Sequence, residues 1–411
     1  MPSRRTVLVA RGVDHWLLLP LIALLCIGLL MVYGASILTS YTDYGSQYYV
    51  LEREVVWVAL AGLTIFVCCR VSFERWRKAA LPLATLSFAL LILVLIPHFG
   101  HMSHGARRWF DLRGLGTLQP SELAKLGLVL YGAAWLNSRG DRLRQLKTGL
   151  LPFGLMVCSF AALILKEPDL GTAIILATTL FSMYFLAGGG MKHLAIIGAL
   201  GLGAGWVMIM HSSYQYARFI AFLNPWHDPT GNGYQIQQAL LALGSGGIFG
   251  DGMGNSAQKL AFLPAPDTDS ILAFIGEEWG LIGTVTILCL FLVIAYRGIR
   301  ITVNAPDGFS RLLAGGITSW ITFQALMNFA VITSSIPFTG VPLPFISYGG
   351  SSMIIGAAAM GILLNISRYS RGEAHAQPDL DNGRGNRRSR LPRAISHPAP
   401  ARPAQLSTRN R

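Results

Sequence analysis

The stretch WLLLPLIALLCIGLLMVYGAS, residues 16–36, decides the fold, because it runs for a full membrane thickness without one Asp, Glu, Lys or Arg. A helix rises 1.5 Å per residue, so about 20 apolar residues cross the hydrocarbon core of a bilayer. Arg4, Arg5 and Arg11 precede the run, as they do in a secretory signal, but the run is span-length and has no clear small-residue cleavage site. An uncleaved first span is expected. Working outward, further apolar segments at 55–70, 79–97, 121–137, 150–165, 171–187, 193–210, 271–296, 312–333 and 351–367 bring the expectation to about ten transmembrane helices. The fold class is therefore an all-α polytopic membrane protein. Composition agrees: 52% of residues are hydrophobic, 13% are charged, and the mean hydropathy is +0.49. That leaves too little polar surface for a soluble two-domain protein.

Loop charge sets the expected orientation. Arg70, Arg75, Arg77 and Lys78 fall on one side, as do Arg139, Arg142, Arg144 and Lys147, then Lys192, then Arg297 and Arg300. Basic loops stay in the cytoplasm, so both termini are expected there. The segments 39–54, 98–120, 166–170, 211–270 and 334–350 then face outward, and the longest lies between spans 7 and 8. The net charge of +13 sits largely in short loops and in the C-terminal tail, a pattern for anionic lipid rather than nucleic acid. Three parts are expected: a cytoplasmic segment 1–15, a membrane domain 16–370, and a basic tail 371–411 whose composition predicts disorder. The five cysteines fall in or at the edge of apolar runs and show neither disulfide framework nor zinc spacing.

The outward segments hold the residues suited to chemistry. Arg107, Arg108 and Arg113 surround Trp109 on the side where basic residues are sparse. They fit either an interfacial helix with snorkelling arginines or a site that wants positive charge. Glu122 and Lys125, at the head of a span, fit either an i,i+3 ion pair or a diphosphate site. The 211–270 segment contains Arg218 and a glycine-rich run, 244–254, which permits close backbone approach to a ligand but lacks nucleotide-binding spacing. Asp267 and Asp269 precede an apolar helix; Asp269 suits an N-cap, or a general base towards a hydroxyl, or both. Glu277 and Glu278 lie deeper, where a carboxylate must be neutral, paired or facing a polar cavity. Lys166-Glu-Pro-Asp-Leu-Gly-Thr172 reads as turn chemistry. The 336–352 stretch packs prolines and glycines into an apolar setting, so its backbone must be buried in protein or line a cavity.

Together these segments resemble the SEDS family, the cell shape, elongation, division and sporulation proteins typified by FtsW and RodA. The most specific match is Thr339-Gly-Val-Pro-Leu-Pro-Phe-Ile-Ser-Tyr-Gly-Gly-Ser-Ser352, supported by Gly105-Ala-Arg-Arg-Trp109, Gln119-Pro-Ser-Glu-Leu-Ala-Lys125, Pro168-Asp-Leu-Gly-Thr172 and Ile275-Gly-Glu-Glu278. The resemblance implies a peptidoglycan glycosyltransferase that polymerises lipid II at the outer face of the bacterial cytoplasmic membrane. Its essential aspartate maps to Asp269 through the Thr-Asp pair. Here Pro264-Ala-Pro-Asp-Thr-Asp-Ser270 departs from the family's Pro-Glu-Ala-His-Thr-Asp-Phe, which leaves Asp267 as a helper. Arg108, Lys125 and Arg218 are the candidates to neutralise the diphosphate, with Glu122 and Trp109 in the same binding set. Pro337, Thr339, Gly340, Pro344, Ser347, Tyr348, Gly349, Gly350 and Ser351, with Glu277 and Glu278, are expected to form the signature cavity.

The resemblance further implies a class B penicillin-binding protein, a transpeptidase, as partner, alongside other divisome or elongasome membrane proteins. No organic cofactor is expected. A divalent cation, Mg or Mn, would share the diphosphate charge, although no dedicated metal site is visible. Gly252-Met-Gly-Asn-Ser256 followed by Lys259, with the long basic tail, is similar to the division branch and points to the septum; an elongation polymerase is the alternative. A lipid II flippase or a non-catalytic division scaffold are the rivals of a different class.

Overall fold

A computed structural model describes residues 12–103, 106–111, 116–227, 231, 233–256 and 263–369. Arg4, Arg5, Arg11, Arg113, Lys259 and the tail from 371 lie outside the described residues. The helices are α1 (His15–Tyr44), α2 (Tyr49–Arg70), α3 (Phe73–Leu95), α4 (Pro120–Arg139), α5 (Leu151–Lys166), α6 (Leu170–Leu186), α7 (Met191–His211), α8 (Ser213–Leu223), α9 (Tyr234–Ser245), α10 (Ile271–Val303), α11 (Gly308–Ile332) and α12 (Gly350–Arg368). Each of the ten apolar segments found in the sequence is helical. Seven helical segments are long and apolar enough to cross a membrane: α1, α3, α5 with the turn before it, α7, α10, α11 and α12. Of the other three, α6 is apolar but has 17 residues, α2 opens on Glu52-Arg53-Glu54, and α4 opens with Glu122 and Lys125. The protein is a polytopic helical membrane protein.

Burial separates the centre of the bundle from its rim. In α12, 78% of the apolar window is buried, against 6% in α7. The centre is built on small residues: α12 reads Gly356-Ala-Ala-Ala-Met-Gly361, and a Cβ at Gly361 would lie 2.8 Å from the Cys68 Cβ and from the Ile65 carbonyl oxygen of α2. Lipid tails are as apolar as Leu, so such helices associate by close packing rather than by hydrophobic expulsion. Buried amides tie the helices at the far end, where Asn365 of α12 donates to the carbonyls of Cys69 and Val71 at the end of α2.

Three expectations are corrected. The fold is not purely α, because 101–118 forms a small antiparallel sheet of β1 (His101–Ser103), β2 (Ala106–Asp111) and β3 (Thr117–Leu118), in the order β1-β2-β3. Arg107, Arg108 and Trp109 thus sit on a strand and not on an interfacial helix. The 211–270 segment is not a loop throughout, since α8 and α9 occupy much of it. Finally, the close backbone approach that the glycine-rich run permits is made to α10. Gly280 (φ +66) breaks the helical geometry inside α10, and a Cβ there would lie 2.4 Å from the Gly250 nitrogen. The Asp251 and Gly252 amides donate to the carbonyls of Glu277 and Glu278. Glycine alone allows two backbones this close.

Candidate active site

Five connections between helices meet at one end of the bundle, and named side chains fasten them together. Arg108 on β2 donates from Nε to the carbonyl of Glu167 and from Nη2 to that of Pro168, each at 2.6 Å. A guanidinium presents donors in a rigid fork, so this clamp fixes the sheet against the α5–α6 turn. Its ring neighbour Trp109 lies 6.0 Å from the guanidinium carbon. Asp169 accepts from the Thr172 amide (3.0 Å) and hydroxyl (2.8 Å), capping α6 as turn chemistry predicts. Gln119, just before α4, donates its side-chain amide to Asp169 at 3.3 Å and its backbone amide to Ser351 at 3.4 Å.

The proline-rich segment 336–349 is non-helical and largely buried, so its freed carbonyls need donors. α11 supplies them: Gln324 donates to Pro342 O at 3.0 Å, and Asn328, one turn on, donates to Val341 O at 2.8 Å. Asn328 also reaches Asp269 O at 3.1 Å. The Ser347 hydroxyl donates to Thr268 O, and the Tyr348 amide donates to Asp267 O. Pro344 is buried and Pro337 half-buried in this segment, and Gly350 lets α12 start against the Trp57 ring, where a Cβ would approach to 2.3 Å. Gly349 precedes it in extended backbone. The two sequence features, the aspartates and the signature, are thus one hydrogen-bonded unit.

Asp269 is not the N-cap of α10. Ser270 holds that place and its side chain caps nothing, so the Asp269 carboxylate is not spent on the helix. It is half-buried, with Oδ2 3.1 Å from where a Cβ on Gly340 (φ +68) would stand. Burial raises its pKa first and Asp169 second; Arg218 and Arg108 oppose them, and the balance is about 6. Asp267 adds a smaller upward push, so the acidic partner that matters more is Asp169, which sequence reasoning left as a turn residue. Asp267 itself is raised, chiefly by burial. Arg218 on α8 donates to Phe338 O at 3.3 Å and stacks over that ring at 5.6 Å.

Lys125 and Glu122 lie apart from this charged cluster. They form an ion pair at 2.9 Å, each 2% exposed, and Lys125 also donates to Gln324 Oε1 at 2.9 Å. The pair steadies the amide that holds Pro342, which is the structural reading of that motif. Glu277 and Glu278 are paired with the glycine-rich segment, through the Ser256 hydroxyl and the Gly254 amide respectively. Two buried carboxylates were missed by sequence reasoning: Glu54 on α2 and Glu167, both fully buried with neither oxygen partnered. Burial, then Asp169, pushes Glu167 up to about 9, so it is protonated at neutral pH. Their sequence signal is weak, an acid at a helix end with other charged residues beside it. Among the described residues no group of three or more His, Cys, Asp or Glu is placed to hold a metal ion.

The family model for cell cycle proteins of the FtsW, RodA and SpoVE type matches residues 15–372. The chain belongs to that family. A probable peptidoglycan glycosyltransferase FtsW of Geobacter metallireducens is 40% identical over 359 residues, covering 87% of this chain and 96% of the relative. The stage V sporulation protein E of Bacillus subtilis is 39% identical over 358 residues, 87% of this chain and 98% of its own. Among solved structures, a chain of a peptidoglycan synthase complex that coordinates polymerization and crosslinking superposes with a TM-score of 0.72 at 30% identity, covering 87% and 98% of the two chains. The rod shape determining protein RodA of Thermus thermophilus gives 0.64 at 28%, covering 88% and 99%.

Proposed function

We propose that the chain is a peptidoglycan glycosyltransferase of the FtsW type, polymerising lipid II into β-1,4-linked glycan for septal wall synthesis. The observation that carries this reading is the Asp269 carboxylate, with a pKa of about 6, held beside Arg108 and Arg218 on the end of the bundle where the connecting segments meet. The FtsW-named relatives at about 40% identity supply the reaction class.

The acceptor's GlcNAc O4 attacks C1 of the donor's MurNAc while the C1–O bond to the diphosphate breaks. Configuration inverts, undecaprenyl diphosphate leaves, and the hydroxyl proton passes to Asp269. A base with a pKa near the working pH is unprotonated often enough to act and basic enough to take the proton. Arg108 and Arg218 offset the charge that develops on the leaving group, and Lys125 acts through Gln324 on the signature segment. Asp267 and Glu54 both bear electrostatically on Tyr348, whose backbone amide donates to Asp267 O.

Ten crossings, with both termini in the cytoplasm, put this end of the bundle at the outer surface of the cytoplasmic membrane. Both substrates carry long lipid tails, so the site opens sideways to the bilayer. A class B penicillin-binding protein that crosslinks the product is the partner. The test is reconstitution of the protein with that transpeptidase and labelled lipid II. Long glycan strands are expected; lipid II transfer across liposomes without polymer would replace the enzyme with a flippase.

A further inference from the structure

A cavity of about 220 Å³ opens beside the aspartate, between α8, α9 and the proline-rich segment, and Arg218, Tyr234, Gln235 and Phe338 form most of its wall. It is joined to the reacting end through two links. Gln235 donates its side-chain amide to the Ser270 hydroxyl at 3.3 Å, next to Asp269. Phe338 is two residues from Gly340, whose missing Cβ makes room for the Asp269 carboxylate. Between them Thr339 keeps a buried hydroxyl without a partner, and a buried polar atom left unpaired is costly unless a ligand or water completes it.

We infer that this cavity is the subsite for the acceptor's terminal N-acetylhexosamine ring, and this rests on the glycosyl-transfer reading given above. Four properties of the wall select a sugar over a phosphate. Its size is below the roughly 300–1,000 Å³ of cavities that take drug-sized ligands, so it holds one ring rather than a lipid-linked disaccharide. Its lining is mostly polar but carries two aromatic rings, Tyr234 and Phe338, which suit the apolar face of a pyranose. Arg218, the one cation among the described lining residues, is built into the wall by its hydrogen bond to Phe338 O and its stacking on that ring. The Gln235 amide supplies both a donor and an acceptor, the pair that an acetamido group presents in return. A ring seated here carries its 4-hydroxyl towards Asp269. Arg218 then serves the acceptor as much as the leaving group, while Arg108, across the site on β2, is left to the diphosphate.

The test uses the whole protein in lipid nanodiscs and two water-soluble probes, the GlcNAc–MurNAc disaccharide and inorganic pyrophosphate. Gln235→Glu keeps size and shape and Tyr234→Leu removes the ring, and a retained thermal midpoint shows that each folds. Saturation-transfer NMR is expected to show disaccharide binding to the wild type, weakened tenfold or more in both variants. Inhibition of lipid II polymerisation by pyrophosphate is expected to be unchanged. Equal disaccharide binding by wild type and both variants overturns the proposal, as does a loss of pyrophosphate inhibition in its place, which would make the cavity a phosphate subsite. A wild type that binds the disaccharide through Gln235 but forms no polymer refutes the proposed reaction and leaves the sugar subsite standing.

Discussion

Replacing Gly340 by alanine separates backbone strain from damage to the base. Gly340 has φ +68, and an added Cβ would stand 3.1 Å from Asp269 Oδ2. A left-handed backbone costs an L residue about 1–2 kcal/mol. The carboxylate must also give way by a few tenths of an ångström, and since a misplacement of about 1 Å costs up to roughly 100-fold in rate, about tenfold in kcat is expected. Gly45 is the control, because its φ is +72 and an added Cβ would meet nothing within 4 Å. Both variants should lose similar thermal stability, and only Gly340→Ala should lose kcat in lipid II polymerisation, with KM little changed. Equal activity in the two would show that the close approach of residue 340 does not place the base.

Other outcomes follow from the same geometry. Asp269 must be deprotonated to act, so kcat/KM should fall as pH drops through about 6 and level off above it; a flat profile between pH 5 and 8 would contradict its role as base. Lys125→Met leaves Glu122 buried and unpaired and should cost about 3–5 kcal/mol, most of it recovered by adding Glu122→Leu; full stability of the single variant would show that the pair supports nothing. Gly250→Ala would place a Cβ 2.2 Å from Glu278 O and should abolish folded yield in detergent, whereas Gly254→Ala, with open space around it, should fold.

Much of this was legible in the sequence because membrane burial leaves a strong mark. An uncharged run such as 16–36 has few alternatives to a helix, and each of the ten apolar segments is helical, seven of them in helical segments long and apolar enough to cross a membrane. The candidate site was legible in part: Arg108 and Arg218 lie close enough to Asp269 to act on its charge. What stayed hidden depended on tertiary contact. Strands of two to six residues have too little periodicity to stand out from an interfacial helix. Gln324 and Asn328 look like stray amides in an apolar helix until the carbonyls of Pro342 and Val341 appear opposite them. A glycine-rich run reads the same whether it admits a ligand or a neighbouring helix, and only the Gly280 kink distinguishes the two. Asp269 looked like a cap because caps are common, yet Ser270 took that position and left the carboxylate for other work.

The central claim is that Asp269 takes the proton in glycosyl transfer. Its most direct test is the rate of glycan formation from labelled lipid II by wild type and Asp269→Asn, reconstituted alike with the partner transpeptidase. Asparagine keeps the shape and removes the base, and removing general-base catalysis costs about 10²–10⁴-fold. A loss in that range, with Asp267→Ala retaining most activity, is predicted. Full polymerisation by a folded Asp269→Asn protein would contradict the account.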